Sequence, residues 1–303
     1  MTRVRRSIAV LSVVLLVPLS ACAQESGSGD EPAESAAPGS AAREPAGGAA
    51  AASREMTWTG VLGEEEFKAL HELKTGESPE LHGTMVDLAG GGAYLSLPAE
   101  GEAPFPGIVV IQEWWGLNDN IKLWADRLAA DGYAALAVDL YDGTVAVTRD
   151  EAMAAVNAVQ DERALEILQA GFRFLKNDPR VRAPKIGSIG WCFGGGWSLR
   201  LAIAQPELDA CVIYYGRLID DPAELAKIKA PLCGIFGNQD TGIPPDAVDA
   251  FDAALQEAGA DYQIHRFDAE HAFANPSNAR YDEEAATRAW NVVVPFLAHH
   301  LKE

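Results

Sequence analysis

Residues 185–200 read KIGSIGWCFGGGWSLR, and this stretch decides how the rest of the chain is interpreted. A short apolar run ends in GWCFG at residues 190–194, and a helical pattern begins after one further glycine pair. This order predicts a strand, a sharp turn and a helix, with glycines where the turn is too tight for side chains. Such a turn would lift the Cys192 thiol clear of a sheet, as a nucleophile elbow does. A purely structural glycine-rich turn is the alternative that this spacing leaves open.

Apolar runs typical of strands alternate with helical patterns on both sides of this turn. The predicted strands are residues 84–88 and 93–98, as a hairpin, then 106–112, 133–139, 185–191, 208–215, 231–237 and 261–267. The predicted helices are residues 63–73, 118–130, 150–175, 195–204, 245–258 and 279–300. Buried strands joined by helices of this length predict an α/β protein with a mainly parallel sheet covered by helices on both faces.

A parallel sheet places its functional side chains at the carboxyl ends of its strands. Three residues at predicted strand ends suit nucleophilic catalysis, in the chain order Cys192, Asp240 and His271. A thiol attacks well only as the thiolate, so Cys192 needs a base such as His271, and Asp240 can hold the imidazole in the required tautomer. A structural histidine at position 271 is the alternative that remains open.

Five motifs together make the chain from about residue 83 onward resemble the dienelactone hydrolase family of the α/β-hydrolase superfamily. They are QEWWGLN at residues 112–118, GWCFGG at 190–195, YYG at 214–216, GNQD at 237–240 and HAF at 271–273. The resemblance implies an α/β-hydrolase fold. It also implies hydrolysis of small-molecule esters or lactones through an acyl-enzyme on the cysteine, without a metal or an organic cofactor.

The resemblance also assigns roles to residues around the cysteine. In that family a glutamate after the third strand, matched here by Glu113, contacts the resting cysteine and helps to activate it once substrate binds. The backbone N–H groups of Trp114 and Phe193 would form the oxyanion hole. The candidates for the substrate pocket are Trp115, Tyr215 and Asn275. A solvated loop acid at position 113 and plain core aromatic residues around the elbow are the alternatives.

The chain departs from the family where a substrate carboxylate would be held. Family members that act on dienelactone use arginines there, and one is expected four residues after His271, where this chain has Asn275. Another is expected near residues 141–143, which read YDG and contain no arginine. The arginines that remain in other loops are Arg149, Arg217 and Arg280. Unless one of these three reaches the site, the resemblance does not extend to dienelactone itself as the substrate.

Two acid-base arrangements around the thiol are compatible with the sequence. If His271 keeps a permanent imidazolium–thiolate pair, the pKa of Cys192 lies well below the usual thiol value of about 8.5. If Glu113 faces the thiol at rest, its charge opposes a thiolate, and the pKa stays high until substrate displaces the acid. The match at residues 112–114 favours the second arrangement, which would also protect an exported thiol from oxidation.

The N-terminal segment has the features of an export signal with a lipid attachment site. Three arginines within residues 3–6 precede an apolar run at residues 8–19, which is short for a membrane span. The next residues, LSAC at 19–22, resemble the lipobox of bacterial lipoproteins, in which Cys22 is lipidated. Lipid at Cys22 would anchor the exported chain to the bacterial cell membrane. An ordinary cleavage site with a chance cysteine is the alternative.

Composition divides the chain into three parts. Residues 1–21 are predicted to be a lipoprotein signal peptide, 22–55 a disordered tether rich in Ala, Gly, Ser, Pro and Glu, and 56–303 the hydrolase domain. The formal net charge of −20 makes nucleic acid a poor partner. Cys211 and Cys233 lie in apolar runs typical of strands and are predicted to be buried thiols without a chemical role.

A second class of function is compatible with the same sequence. It is a non-catalytic cell-surface binding protein on an α/β-hydrolase scaffold, in which the thiol is inert. The complete set of Glu113, Cys192, Asp240 and His271 at strand ends favours the enzyme, because a binding module has no reason to keep all four. The sequence does not indicate the oligomeric state.

Overall fold

A computed structural model describes Glu65, Lys68 and residues 80–303. The predicted signal peptide, lipidation site and tether lie outside these described residues, and so does most of the predicted helix at residues 63–73. Glu65 and Lys68 are helical, and the Lys68 ammonium lies 2.8 Å from the carboxylates of both Glu65 and Asp150. In residues 80–303, no helix combines the length and the apolar character needed to cross a membrane.

The described chain contains one eight-stranded sheet. Its strands are β1 (Thr84–Leu88), β2 (Gly91–Ser96), β3 (Gly107–Ile111), β4 (Ala134–Val138), β5 (Ile186–Trp191), β6 (Ala210–Tyr214), β7 (Leu232–Gly237) and β8 (Tyr262–Phe267). Their order across the sheet is β1-β2-β4-β3-β5-β6-β7-β8, with antiparallel pairing at β1–β2 and β2–β4 and parallel pairing elsewhere. Every residue of β3 to β7 is buried, as expected for strands covered on both faces. The predicted α/β-hydrolase fold is confirmed.

Helices cover both faces of this sheet. They are α1 (Asp119–Ala130), α2 (Arg149–Ala158), α3 (Asp161–Asn177), α4 (Phe193–Ala204), α5 (Pro222–Leu225), α6 (Pro245–Ala258) and α7 (Glu283–Lys302). In β5 the Ser188 hydroxyl lies 2.8 Å from that of Ser198 in α4, whereas a methyl group on Gly187 would lie 3.0 Å from Leu301 of α7. Neighbouring strand residues point to opposite faces, so α4 and α7 lie on opposite sides of the sheet.

The prediction of one long helix at residues 150–175 is wrong, because the chain forms α2 and α3 instead. Thr148 and Glu151 form a capping box at the start of α2. Val159 then ends α2 with extended backbone angles (φ −65°, ψ 126°), and Gln160 is also extended before α3 begins. Acidic residues in the first turn of α3 interact favourably with its helix dipole, which supports a new start there.

Two further helix starts differ from the predictions by two residues or more, and one short helix was not predicted. Helix α4 begins at Phe193, two residues earlier than predicted, because the elbow residue itself precedes the first turn. The single turn α5 was not predicted. Helix α7 begins at Glu283 rather than at residue 279, since the Asp282 side chain accepts a hydrogen bond from the Ala285 N–H and caps the helix there.

The elbow depends on two glycines at which backbones approach each other closely. A methyl group on Gly190 would lie 2.1 Å from the carbonyl oxygen of Gly194. A methyl group on Gly194 would lie 2.4 Å from the carbonyl oxygens of both Ile111 and Gln112, at the end of β3. No side chain fits at either position without moving backbone atoms. This packing brings the first turn of α4 against the end of β3.

We therefore predict that Gly190→Ala destabilises the folded chain by more than about 2 kcal/mol, because the clash is with backbone that is fixed on both sides. Thermal unfolding should show a fall of more than about 5 °C in Tm. Gly91→Ala in β2 is the matched control, since its methyl group would lie 3.6 Å from the nearest atom, an ordinary contact. Equal Tm values for the two variants would contradict the prediction.

Candidate active site

The structure brings Cys192, Asp240 and His271 into one chain of contacts at the carboxyl edge of the sheet. Cys192 follows β5, Asp240 follows β7 and His271 follows β8. His271 Nε2 lies 3.3 Å from the Cys192 sulfur, and His271 Nδ1 lies 2.7 Å from Asp240 Oδ2. All three side chains are buried. This is the geometry of a nucleophile, a base and an acid that orients the base.

Asp240 is fixed by its own loop. Its Oδ1 accepts hydrogen bonds from the backbone N–H groups of Gly242 at 2.7 Å and Ile243 at 2.9 Å. These bonds hold the carboxylate in place and direct Oδ2 toward His271 Nδ1. With Nδ1 donating to Asp240, Nε2 is the nitrogen that can take a proton from Cys192.

Burial and neighbouring charges both act on the proton that Cys192 and His271 share. Burial raises the pKa of Cys192, against the lowering effect of His271, and the charge of Glu113 raises it further. Burial alone would lower the pKa of His271, but the negative charges of Asp240 and of a Cys192 thiolate raise it well above its ordinary value. A thiolate therefore forms together with the His271 imidazolium.

Cys192 has the strained backbone expected of an elbow. Its φ of 52° and ψ of −115° are rare for a residue with a side chain, and such strain is concentrated at functional sites. The next residue, Phe193, begins α4, and its backbone N–H lowers the pKa of the Cys192 thiol. The Phe193 N–H thus lies close to the Cys192 sulfur. Trp114, the other predicted donor, is fully buried in the loop after β3.

Glu113 is a buried acid, not a solvated one, since only 3% of its surface is exposed. Burial raises its pKa to about 7, against the lowering effects of His271, Asn275 and Tyr215. Oε2 accepts a short hydrogen bond from Asn275 Nδ2, and Oε1 has no hydrogen-bond partner among the described residues. The high pKa of Cys192 agrees with the second predicted arrangement, but the sulfur contacts His271, while the Glu113 carboxylate is hydrogen-bonded to Asn275.

Two of the three predicted pocket residues, Tyr215 and Asn275, contact residues of this centre, whereas the contact found for Trp115 is with Trp114. The Tyr215 ring centroid lies 5.2 Å from that of His271, and Tyr215 has a positive φ of 35°, a second strained residue at the site. Asn275 contacts Glu113, as described above. The Trp115 ring lies 5.0 Å from that of Trp114 and is almost fully buried.

One residue near the thiol, Tyr141, was assigned no role from the sequence. Tyr141 is buried with its ring centroid 5.4 Å from that of Phe193, and the Gln112 side chain lowers its pKa. Burial more than offsets this effect and raises the pKa well above the ordinary value, and charge on Cys192 adds to the rise. Gln112 itself accepts from the Leu140 N–H at 3.2 Å. Tyr141 lies two residues beyond the predicted strand at residues 133–139, so the strand-end rule did not single it out.

Asp139, another strand-end acid, has a local role in this structure. Its two carboxylate oxygens accept hydrogen bonds from the backbone N–H groups of Tyr141 at 2.8 Å and Gly143 at 2.5 Å. These bonds shape the loop after β4 and position Tyr141.

The guanidinium of Arg280 is paired with the Glu270 carboxylate. In the described part of the chain, no group of three or more His, Cys, Asp or Glu side chains is arranged to hold a metal ion.

Comparison with known proteins agrees with this geometry. The family model described as "Dienelactone hydrolase family" matches residues 92–301. A candidate carboxymethylenebutenolidase of Methylorubrum extorquens is 34% identical over 214 residues, which cover 65% of this chain and 73% of that protein. A protein named usf from Aquifex pyrophilus is 32% identical over 232 residues, or 72% of this chain and 99% of that one.

A solved structure shows the same similarity in three dimensions. The crystal structure of a candidate dienelactone hydrolase from Klebsiella pneumoniae superposes with a TM-score of 0.66 at 28% sequence identity. The superposition covers 72% of this chain and 98% of that chain. The part of the sequence that matches therefore corresponds to nearly the whole of the other protein.

The raised pKa of Glu113 predicts a pH-dependent stability. Between about pH 4.5 and 7 the unfolded chain loses this proton while the folded chain keeps it, so the folded state becomes less stable as the pH rises. A shift of this size corresponds to about 3 kcal/mol. We expect Glu113→Gln to remove this loss, so that the variant gains stability over the parent between about pH 5 and pH 8 in urea unfolding.

The exposed Glu257 provides the control for this measurement. Glu257→Gln should leave the pH dependence of the free energy of unfolding as in the parent chain. If Glu113→Gln and Glu257→Gln show the same pH dependence of the free energy of unfolding, the pKa of Glu113 is not raised and the prediction is contradicted.

Proposed function

Because this chain belongs to the dienelactone hydrolase family, we propose that it hydrolyses small carboxylic esters or lactones through an acyl-enzyme on Cys192. The observation that carries the proposal is the continuous contact from the Asp240 carboxylate through His271 to a thiol held on a strained elbow. Nucleophile, base and orienting acid follow each other at hydrogen-bond distances, and each is fixed by its own strand end.

The reaction follows from the positions of these groups. The Cys192 thiol passes its proton to His271 Nε2 while the sulfur attacks the carbonyl carbon of the ester. The carbonyl oxygen becomes an oxyanion, and the backbone N–H groups of Phe193 and Trp114 donate to it. When the tetrahedral intermediate collapses, the carbon–oxygen bond to the leaving group breaks, and His271 gives its proton to the leaving alkoxide. A thioester on Cys192 remains.

Water completes the cycle by the same steps. His271, neutral again, takes a proton from a water molecule that attacks the thioester carbonyl. When the second tetrahedral intermediate collapses, the carbon–sulfur bond breaks and the carboxylic acid is released. The proton on His271 returns to the Cys192 sulfur. Asp240 stabilises the imidazolium in both halves of the reaction without itself becoming protonated. In a lactone the leaving alkoxide and the acyl group belong to the same molecule.

Glu113 adds a second proton-exchanging group to this pocket. A carboxyl group with a pKa of about 7 changes its charge in the neutral pH range, where a general acid or base works best. Its negative charge raises the pKa of Cys192 and so disfavours a thiolate in the unliganded site. We infer that Glu113 limits the reactivity of Cys192 until an ester occupies the pocket.

The proposal predicts the behaviour of cysteine variants. The full chain should turn over short-chain nitrophenyl esters, and the protein mass should rise transiently by one acyl group on Cys192. Cys192→Ala should lower turnover by at least about 10³-fold, since the nucleophile is lost. Cys233→Ala, which changes a buried thiol in β7, should keep the turnover of the parent. Absence of turnover together with slow iodoacetamide labelling of Cys192 would favour the non-catalytic binding protein.

For the N-terminal segment, outside the described residues, we propose lipidation of Cys22 and anchoring of the exported chain to the bacterial cell membrane. The support is the run of arginines, the apolar stretch and the LSAC motif at residues 19–22. Metabolic labelling with palmitate should depend on Cys22. Labelling and membrane association that persist in Cys22→Ala would contradict this assignment.

A further inference from the structure

The two oxygens of the Glu113 carboxylate have different surroundings, and none of the proposed catalytic steps explains this difference. One oxygen, Oε2, accepts from Asn275 Nδ2, whereas Oε1 has no hydrogen-bond partner within the described residues although it is buried. A buried carboxylate oxygen without a donor is costly, so something must hold this side chain where it is. Asn275 donates to it at hydrogen-bond geometry, and Tyr215 also lowers the pKa of this carboxyl group.

The orientation of the Asn275 amide is itself fixed. Its carbonyl oxygen, Oδ1, accepts from the Ser277 backbone N–H at 2.8 Å and from the Ser277 hydroxyl at 2.6 Å. Rotating the amide by half a turn would place its nitrogen against two donors and its oxygen against a carboxylate. Asn275 is almost fully buried, so water cannot replace these bonds. The Nδ2 group must therefore face Glu113.

The loop that carries this amide is continuous with the one that carries the catalytic base. The Asn275 N–H donates to the carbonyl oxygen of Ala272 at 3.0 Å, and Ala272 follows His271 with a φ of 61°. The positions of the imidazole and of the amide are thus set by the same turn after β8. A shift of the amide relative to the base would require this turn to change.

Glu113 is close enough to Cys192 for its charge to act on the thiol. The charge of Glu113 raises the pKa of Cys192, and His271 lowers the pKa of both groups. Tyr215 is the other titratable group that acts on Glu113, and it lowers the pKa. A carboxylate that moved from Asn275 toward the sulfur would oppose the thiolate more strongly.

On these contacts we propose that Asn275, oriented by Ser277, is a positioning residue that holds the Glu113 carboxylate off the Cys192 sulfur and so keeps the thiol in contact with His271. The importance of this role for catalysis rests on the proposed function. The contacts themselves are present in the unliganded chain. Ser277 acts through Asn275, and Asn275 acts through Glu113. Neither residue touches the reacting atoms.

The test measures the reactivity of the thiol without an ester. Cys192 in the full chain is alkylated with iodoacetamide across a pH series, and its labelling rate is followed by peptide mass spectrometry. In Ser277→Ala the amide loses one of the two donors that orient it, and Glu113 can approach the sulfur. We expect alkylation about tenfold slower near pH 8, as for a rise of one unit in the thiol pKa. Ser277→Thr, which keeps the hydroxyl, should restore the parent rate.

A double variant separates positioning from general structural damage. In a Glu113→Gln background there is no carboxylate to hold, so adding Ser277→Ala should not slow alkylation further. Asn275→Leu, which removes the donor itself, should slow alkylation as Ser277→Ala does. It replaces Ser277→Ala in the test if the serine variant fails to fold. Parent-like alkylation in Ser277→Ala and Asn275→Leu would overturn the proposal, and so would a slowing that persists with Glu113→Gln.

The outcomes for the two proposals are distinguishable. Iodoacetamide labelling needs no ester, so a chain that shows the expected alkylation pattern but no ester turnover would support the positioning role and count against the hydrolase mechanism. A chain that hydrolyses esters, but whose Cys192 is alkylated at the same rate with and without the Ser277 hydroxyl, would support the hydrolase mechanism and count against the positioning role.

Discussion

The close approach of backbones at the elbow is the constraint on which the site depends. Gly194 packs against the carbonyl groups that end β3, and a methyl group on Gly195 would lie 2.5 Å from the Tyr214 carbonyl oxygen at the end of β6. The first turn of α4 therefore sits between two strand ends. Because of this, Cys192 lies where the Glu113 loop and the Tyr215 loop both emerge. The catalytic groups meet as a consequence of how the glycines pack.

Burial is the second constraint, and it acts on every ionisable group at the centre. Low polarity disfavours charge, which raises the pKa values of Glu113, Cys192, Tyr141 and Tyr215 together. The imidazole of His271 is the exception, because the charge of Asp240 more than offsets the effect of burial. Burial thus disfavours isolated charge at this centre, while the charge of Asp240 favours the imidazolium form of His271.

The sequence predicts the sheet and singles out the candidate catalytic residues because both depend on local patterns. Eight apolar runs identified the eight strands, and the strand-end rule identified Cys192, Asp240 and His271 before any contact was known. Periodicity did not reveal the break at Val159, where a helical pattern continues through residues that the structure holds in extended form. It also did not reveal the role of Ser277. The bond from Asn275 to Glu113 joins residues 162 apart in the chain, and no local pattern encodes such a contact.

The two acids of the site show how hydrogen bonding separates their roles. Asp240 accepts from two backbone N–H groups and from His271, and these three donors stabilise its negative charge. Glu113 accepts from the neutral amide of Asn275, and Tyr215 also lowers its pKa, but burial dominates and the pKa rises to about 7. The acid with backbone donors is held in place to orient the imidazole. The acid without them can change its charge in the neutral pH range, close enough to the thiol to raise the thiol pKa.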